Sequence, residues 1–382
     1  MDIQISQSKQ WRIALFLFGM AFFLFACAAS QETPTVAPVI ECPTYTAPTP
    51  VSYDVLWASS AHADRLAPAF THWDEANPAE IPVDCAQCHS WTGFLDFLGV
   101  DGSTTGVVEK PIKPGTVITC YACHNEGSLS LDYVNFPSGK RIGGLGSEAV
   151  CINCHQGRGS TPMVENAILK ANPVDEDTPS PDLAFVNSHS TSAATPFGAE
   201  AQGGYEYAGM NYYGRYMRGA DFFACIRCHD QHTLELKLET CSECHTFDGV
   251  DPKNIRVNTT DFDGDADLAE GAYYEVEQMH ANLLAAIQEY ARNIVKVPIA
   301  YTLEFYPYFF IDTNNNGTAD PEEAIIGNAY KSWTPRLLRA AYNYNYVSHD
   351  AGAYAHNSKY ILQVLFDSLV DIGADTSGLA RP

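Results

Sequence analysis

The sequence predicts a mainly α-helical protein with much irregular structure: a body organised around five short cysteine motifs, followed by a C-terminal helical domain. Two observations predict this. Between residues 53 and 260, ten cysteines recur in one pattern, while Gly, Pro, Ser and Asn are frequent and no apolar periodicity is sustained. Beyond residue 260 the cysteines stop and apolar residues return at helical spacing.

At the N-terminus, Lys9 and Arg12 flank the start of an apolar run from Ile13 to Phe25. That run is short for a membrane span and reads as an export signal, residues 1–27. It ends in Leu24-Phe25-Ala26-Cys27, which resembles a bacterial lipobox, although Phe25 departs from the small residue usual there. The lipobox reading makes Cys27 a lipid-bearing N-terminus and places the chain on the outer face of the cell membrane or outer membrane. The competing reading is ordinary cleavage between Ala26 and Ser30, which leaves a periplasmic or secreted protein. Residues 28–52 are rich in Pro, Thr and Ala and read as an extended tether, with Cys42 unassigned within it.

The chain has 382 residues, with 22 Lys and Arg against 46 Asp and Glu, a formal charge of −24. Nucleic acid requires a basic footprint and is excluded as a partner. An acidic surface fits solubility or basic redox partners.

Ten of the twelve cysteines form Cys85-Ala-Gln-Cys88-His89, Cys120-Tyr-Ala-Cys123-His124, Cys151-Ile-Asn-Cys154-His155, Cys225-Ile-Arg-Cys228-His229 and Cys241-Ser-Glu-Cys244-His245. Each is the Cys-x-x-Cys-His pattern of haem c attachment. Two thiols at this spacing reach the two vinyl groups of one porphyrin and form thioethers. The adjacent His turns under the ring and binds iron as proximal ligand. A lone Cys-x-x-Cys would fit a zinc or redox site equally well; five copies, each followed directly by His, do not. The body at 53–260 therefore reads as a pentahaem cytochrome domain, with short helical turns at each motif and a strand at about Gly115 to Tyr121.

Seven histidines lie outside the motifs: His62, His72, His189, His232, His280, His349 and His356. Five would close every iron with two histidines, and the mature-chain methionines are few. Ligation by two histidines lacks the potential-raising Met ligand, so low potentials are expected. His232 lies three residues after proximal His229 and cannot curl to the far face of the same haem, so it is read as the ligand of a neighbour. The nine residues from His232 to Cys241 span at most about 30 Å, which makes the fourth and fifth haems neighbours. His62, His72, His189 and His356 complete the distal candidates. His280 sits on an apolar helical face with Val276, Leu283, Leu284 and Ile287 and reads as a core residue. His349 follows a helix end and reads in the same way.

Residues 261–382 read as a helical domain that donates His356. Periodicity predicts helices at about 267–293, from the Thr334-Pro335 start through Tyr346, and from about Asn357 to Ile372 with Ile361, Leu365 and Leu369 on one side. Between the first and second of these, Asp312, Asn314, Asn316, Gly317, Thr318, Asp320 and Glu323 occupy the key positions of a twelve-residue EF-hand loop. They predict one stabilising Ca²⁺. The incoming Tyr-Phe-Tyr-Pro-Tyr-Phe-Phe does not read as an EF-hand helix. Asp261, Asp263, Asp265 and Asp267 form a second acidic loop that does not match the pattern.

On the five motifs, the Cys-His-Asp-Gln-His pair around His229 and His232, and the segment Asp350-Ala-Gly-Ala-Tyr-Ala-His356-Asn357-Ser-Lys-Tyr360, the chain resembles the bacterial multihaem c-type cytochromes, including extracellular and outer-surface ones. The likeness spans about residues 55–365. It implies that the His of the His-Asn-x-x-Tyr segment, His356, is an axial ligand. The expected function is electron transfer along five haems, mostly with two histidine ligands, in anaerobic or extracellular respiration, with no catalytic residues. Partners would be other redox proteins, a membrane quinol oxidase module or extracellular acceptors such as minerals; a filament is a variant of this reading. The alternative is a multihaem reductase or oxidase with one open iron acting on a small inorganic substrate.

Overall fold

Each cysteine motif sits on a helical turn. The computed structural model describes residues 51–218, 224–245, 251–256 and 258–382. The export signal, Cys27, Cys42 and nearly all of the tether lie outside the described residues.

Short helices α1 (Tyr53–Ala58) and α2 (Pro68–Thr71) precede the first motif. The motifs lie on or at the end of α3 (Val83–His89), α5 (Cys120–Cys123), α7 (Glu148–His155), α9 (Cys225–Cys228) and α10 (Glu239–Ser242). Between them stand α4 (Trp91–Leu98), α6 (Glu126–Ser130) and α8 (Thr161–Ala171). The long connections are irregular. Only one antiparallel hairpin is described in this stretch, β1 (Tyr133–Asn135) with β2 (Arg141–Gly143), pairing Val134 with Ile142.

The strand expected at Gly115–Tyr121 is not formed. Pro111 and Pro114 cannot donate to a ladder. The segment instead gives an isolated bridge, Ile81 with Ile112, and one bond from Ile118 N to His62 O, 3.2 Å. Cys120 then opens α5.

The C-terminal third is built from α11 (Ala272–Tyr290), α12 (Pro335–Ser348) and α13 (Ala353–Ile372), which pack on one another. α11 ends in a wide turn over Ala291–Val295, which accounts for the longer periodicity in the sequence. α12 starts where its cap residues place it: Thr334 Oγ1 accepts from Leu337 N at 3.1 Å, with Pro335 at the first helical position. α13 begins earlier than periodicity suggests, and Asn357 breaks its regularity with φ −167° and ψ 72°. Its side chain accepts from Tyr360 N and donates to Gly214 O and Thr195 O, so the kink is held from outside the helix.

The core is aromatic. Trp333, Tyr342, Tyr346 and Tyr360 are fully buried with Met279, Leu283 and Ile287. It extends into the motif-bearing stretch, because α13 packs on the 3₁₀ turn Thr195–Glu200 and α12 packs on α8. A second hairpin, β3 (Ile299–Tyr301) with β4 (Phe309–Ile311), leads into the acidic loop at Asp312.

Candidate haem site

The ten described cysteines are all free thiols, so none is held in a disulfide. The motifs adjoin one another. Cys88 Sγ donates to Asn153 O and Cys154 Sγ to Gln87 O, each at 3.9 Å, while Gln87 Nε2 donates to Asn153 O at 3.1 Å. The first and third motifs thus pack reciprocally. The fourth joins them through the buried Glu148, whose Oε2 accepts from Cys225 N at 2.5 Å. The fifth is tied to the fourth by Lys237 N to Cys228 O at 2.7 Å, Thr240 Oγ1 to Arg227 O at 3.0 Å and the Arg227–Glu243 ion pair at 3.2 Å.

Four of the five motif histidines face other histidines. His155 and His62 have ring centroids 6.2 Å apart, His89 and His189 5.8 Å, His124 and His232 6.3 Å, and His229 and His356 6.4 Å. A metal–imidazole bond is about 2 Å. With the ring centroid roughly 1 Å beyond its nitrogen, one iron between two imidazoles separates the centroids by about 6 Å. Free thiols on one side and facing imidazoles at this spacing are a donor set that fits haem c.

The local chain explains how each distal candidate is aimed. His189 takes a left-handed backbone, φ 60°, which costs a non-glycine residue energy and needs support. Asn187 Oδ1 accepts from His189 N at 2.9 Å, and Ser188 Oγ donates to Asn345 Oδ1 of α12 at 2.7 Å. His232 follows a turn in which Asp230 Oδ1 accepts from His232 N and Thr233 N, at 2.9 and 2.8 Å. That turn swings it away from its own motif and toward His124. His356 Nδ1 donates to Asp350 Oδ1 at 2.8 Å, and Asp350 is 3% exposed. A carboxylate on Nδ1 fixes the tautomer that leaves Nε2 free. A Cβ at Gly352 would meet the His356 ring at 2.7 Å, so a side chain there would displace that ring. His89 Nδ1 likewise donates to Ala69 O at 2.8 Å.

Burial lowers the pKa of His62, His89 and His229, and pushes His155 and His189 down to about 4. Their imidazoles are therefore neutral at pH 7, the state that binds iron.

The remaining histidines are placed differently. His72 meets Trp73 edge-on at 4.8 Å, and Trp73 in turn meets His89 at 5.1 Å. His72 therefore stands beside the first motif, where its charge is felt by His89. His280 stacks on Tyr344 at 4.0 Å and its Nε2 donates to Tyr344 O at 2.9 Å. His349 caps α12, touches Tyr308 edge-on and lies 6.4 Å from His189.

In the loop after β4, Asp312 Oδ1 and Oδ2 accept from Asn316 N and Gly317 N at 3.2 and 2.9 Å. Asn314 Oδ1 and Asn316 Oδ1 accept from the amides two residues on, and Gly317 turns with φ 79°. Glu323 closes the loop through Thr313 N at 2.7 Å. The element entering this loop is a strand. At the other acidic loop, Asp261, Asp263 and Asp265 gather, as do Asp263, Glu270 and Glu275. Burial, reinforced by neighbouring carboxylates, raises Asp263 to about 6 and Glu270 to about 7.

No helix among the described residues is long and apolar enough to cross a membrane. No protein-family model matches the chain. No solved structure matches it either. Among curated proteins, the C-type polyheme cytochrome OmcB of Geobacter sulfurreducens, in two strains, is 27% identical over 371 residues, covering 80% of this chain and 46% of the relative. The C-type polyheme cytochrome OmcC of the same organism is 26% identical over 377 residues, covering 83% of this chain and 46% of the relative. The chain spans about half the length of the curated relatives it matches. Four fifths of the chain, with all five motifs in it, is thus similar to multihaem c-type cytochromes.

Proposed function

We propose that this protein is an exported electron-transfer cytochrome that carries electrons along five covalently attached haems, most of them with two histidine ligands, in anaerobic or extracellular respiration. The observation that carries the reading is the set of four motif histidines, His89, His124, His155 and His229, that each face a second histidine at 5.8–6.4 Å. When bound, the haems supply reversible one-electron iron chemistry at low potential. The chain's own part is to hold and orient them. The cysteine pairs anchor the porphyrins. His89, His124, His155, His229 and His245 would bind from the attachment side, and His189, His232, His62 and His356 from the far side of the first four. His72, with Trp73, flanks the first motif. Closely packed motifs favour hopping between neighbouring rings. The acidic surface suits basic redox partners or extracellular acceptors. A lipid at Cys27 would hold the protein at a membrane surface.

Replacing His356 with Ala in the holoprotein should convert one haem from low to high spin in low-temperature EPR. An unchanged spectrum would remove His356 from the ligand set.

We further propose that Asp312, Asn314, Asn316, Thr318, Asp320 and Glu323 hold one Ca²⁺ in a stabilising role. What supports this is an EF-hand loop turned at Gly317 with its acids buried at both ends. Adding a calcium chelator should lower the melting temperature by several degrees, and Glu323→Gln should abolish the difference. A melting temperature indifferent to chelator would count against the site.

A further inference from the structure

All twelve histidines of the chain lie among the described residues, so each can be placed. Four motif histidines and four others form the facing pairs. Of the rest, His280 is engaged with Tyr344 O, His72 with Trp73 beside the first motif, and His349 with Tyr308 and His189. None of their rings lies against His245, and among the described residues no other aromatic ring does.

As at the second and fourth motifs, the motif histidine of the fifth lies beyond its helix, since α10 ends at Ser242. Met279 is fully buried in the α11 core, and Met163, Met210 and Met217 are 40%, 45% and 53% exposed. Of these, Met217 is next in sequence to Arg218, whose charge is felt by Cys228 and Cys241.

We infer that the haem attached at Cys241 and Cys244 has no protein histidine opposite His245, and that its sixth position takes a small exogenous inorganic ligand. This deepens the proposed electron-transfer reading and rests on it. Four closed haems would feed one open iron at the end of the chain where the fifth motif packs on the fourth. A closed six-coordinate haem passes electrons only; an open one also binds.

The probe is carbon monoxide, which binds ferrous haem only where an axial position is open or readily vacated. Titration of the fully reduced holoprotein should give one CO per chain, read from the Soret band. The double variant Cys241→Ala, Cys244→Ala should lose that uptake and keep the other four haems. No uptake, uptake beyond one per chain, or uptake retained in the double variant overturns the inference. If the double variant does not mature, EPR of the oxidised native protein decides. One high-spin ferric haem is expected; wholly low-spin iron, or a methionine-to-iron charge-transfer band, overturns the inference. Intact mass with peptide mapping separates the two readings: haem missing from the Cys241 peptide defeats this inference and the five-haem count together, whereas five haems without CO uptake defeats this inference alone.

Discussion

The histidines divide by what their second ring nitrogen touches. His89 and His356 engage Nδ1 with a backbone carbonyl and a buried carboxylate, which leaves Nε2 free to take up the proposed iron; His280 engages Nε2 with Tyr344 O. With the proposed iron bound, the Asp350 contact would make His356 a stronger donor and favour the ferric state. Asp350→Asn should therefore raise the midpoint potential of the fourth haem by roughly tens of millivolts while leaving the haem count unchanged. Redox titration followed by EPR checks it, and a fall in potential would contradict the role given to Asp350. At this scale the sequence marks the motif histidines as proximal candidates, because haem attachment would fix their spacing. The pairing was not legible. Nothing in the spacing of His232 indicates that it comes to face His124, more than a hundred residues back. His189 takes a left-handed backbone supported by Asn187 next to it and, through Ser188, by Asn345 far along the chain.

At the scale of elements, the long helices follow their sequence signals and the short ones follow the motifs. Ile361, Leu365 and Leu369 of α13 are all buried, as their spacing indicates. Thr334 caps α12 with its hydroxyl and is itself fully buried. Thr334→Ala should cost about 1 kcal/mol of stability. Chemical denaturation of the holoprotein measures it, and a serine at the same position should recover most of the loss. Two departures have local causes. The expected strand after Gly115 gives way to an irregular segment because two prolines precede it and Cys120 starts a helix. The helical start of α13 lies before Asn357 because the kinked turn is bonded sideways, to Gly214 and Thr195, and a periodicity count does not register such bonds.

At the scale of the whole molecule, the cysteine-free C-terminal third belongs to the same structural unit as the motifs. It places His356 opposite His229, supplies Asn345 to the His189 loop, and buries Tyr342, Tyr346 and Tyr360 against the connections between motifs. Composition and periodicity change near residue 260 but do not foresee this interlocking, because the contacts join segments far apart in sequence. The central claim is that five haems are attached to one chain and arranged for electron transfer. Intact mass spectrometry of the mature, exported protein tests it most directly. The account predicts a mass of the mature chain plus five haems, with one haem lost for each Cys-x-x-Cys pair replaced by alanines. Fewer than five haems on the native chain, or a pair whose replacement removes none, would contradict it.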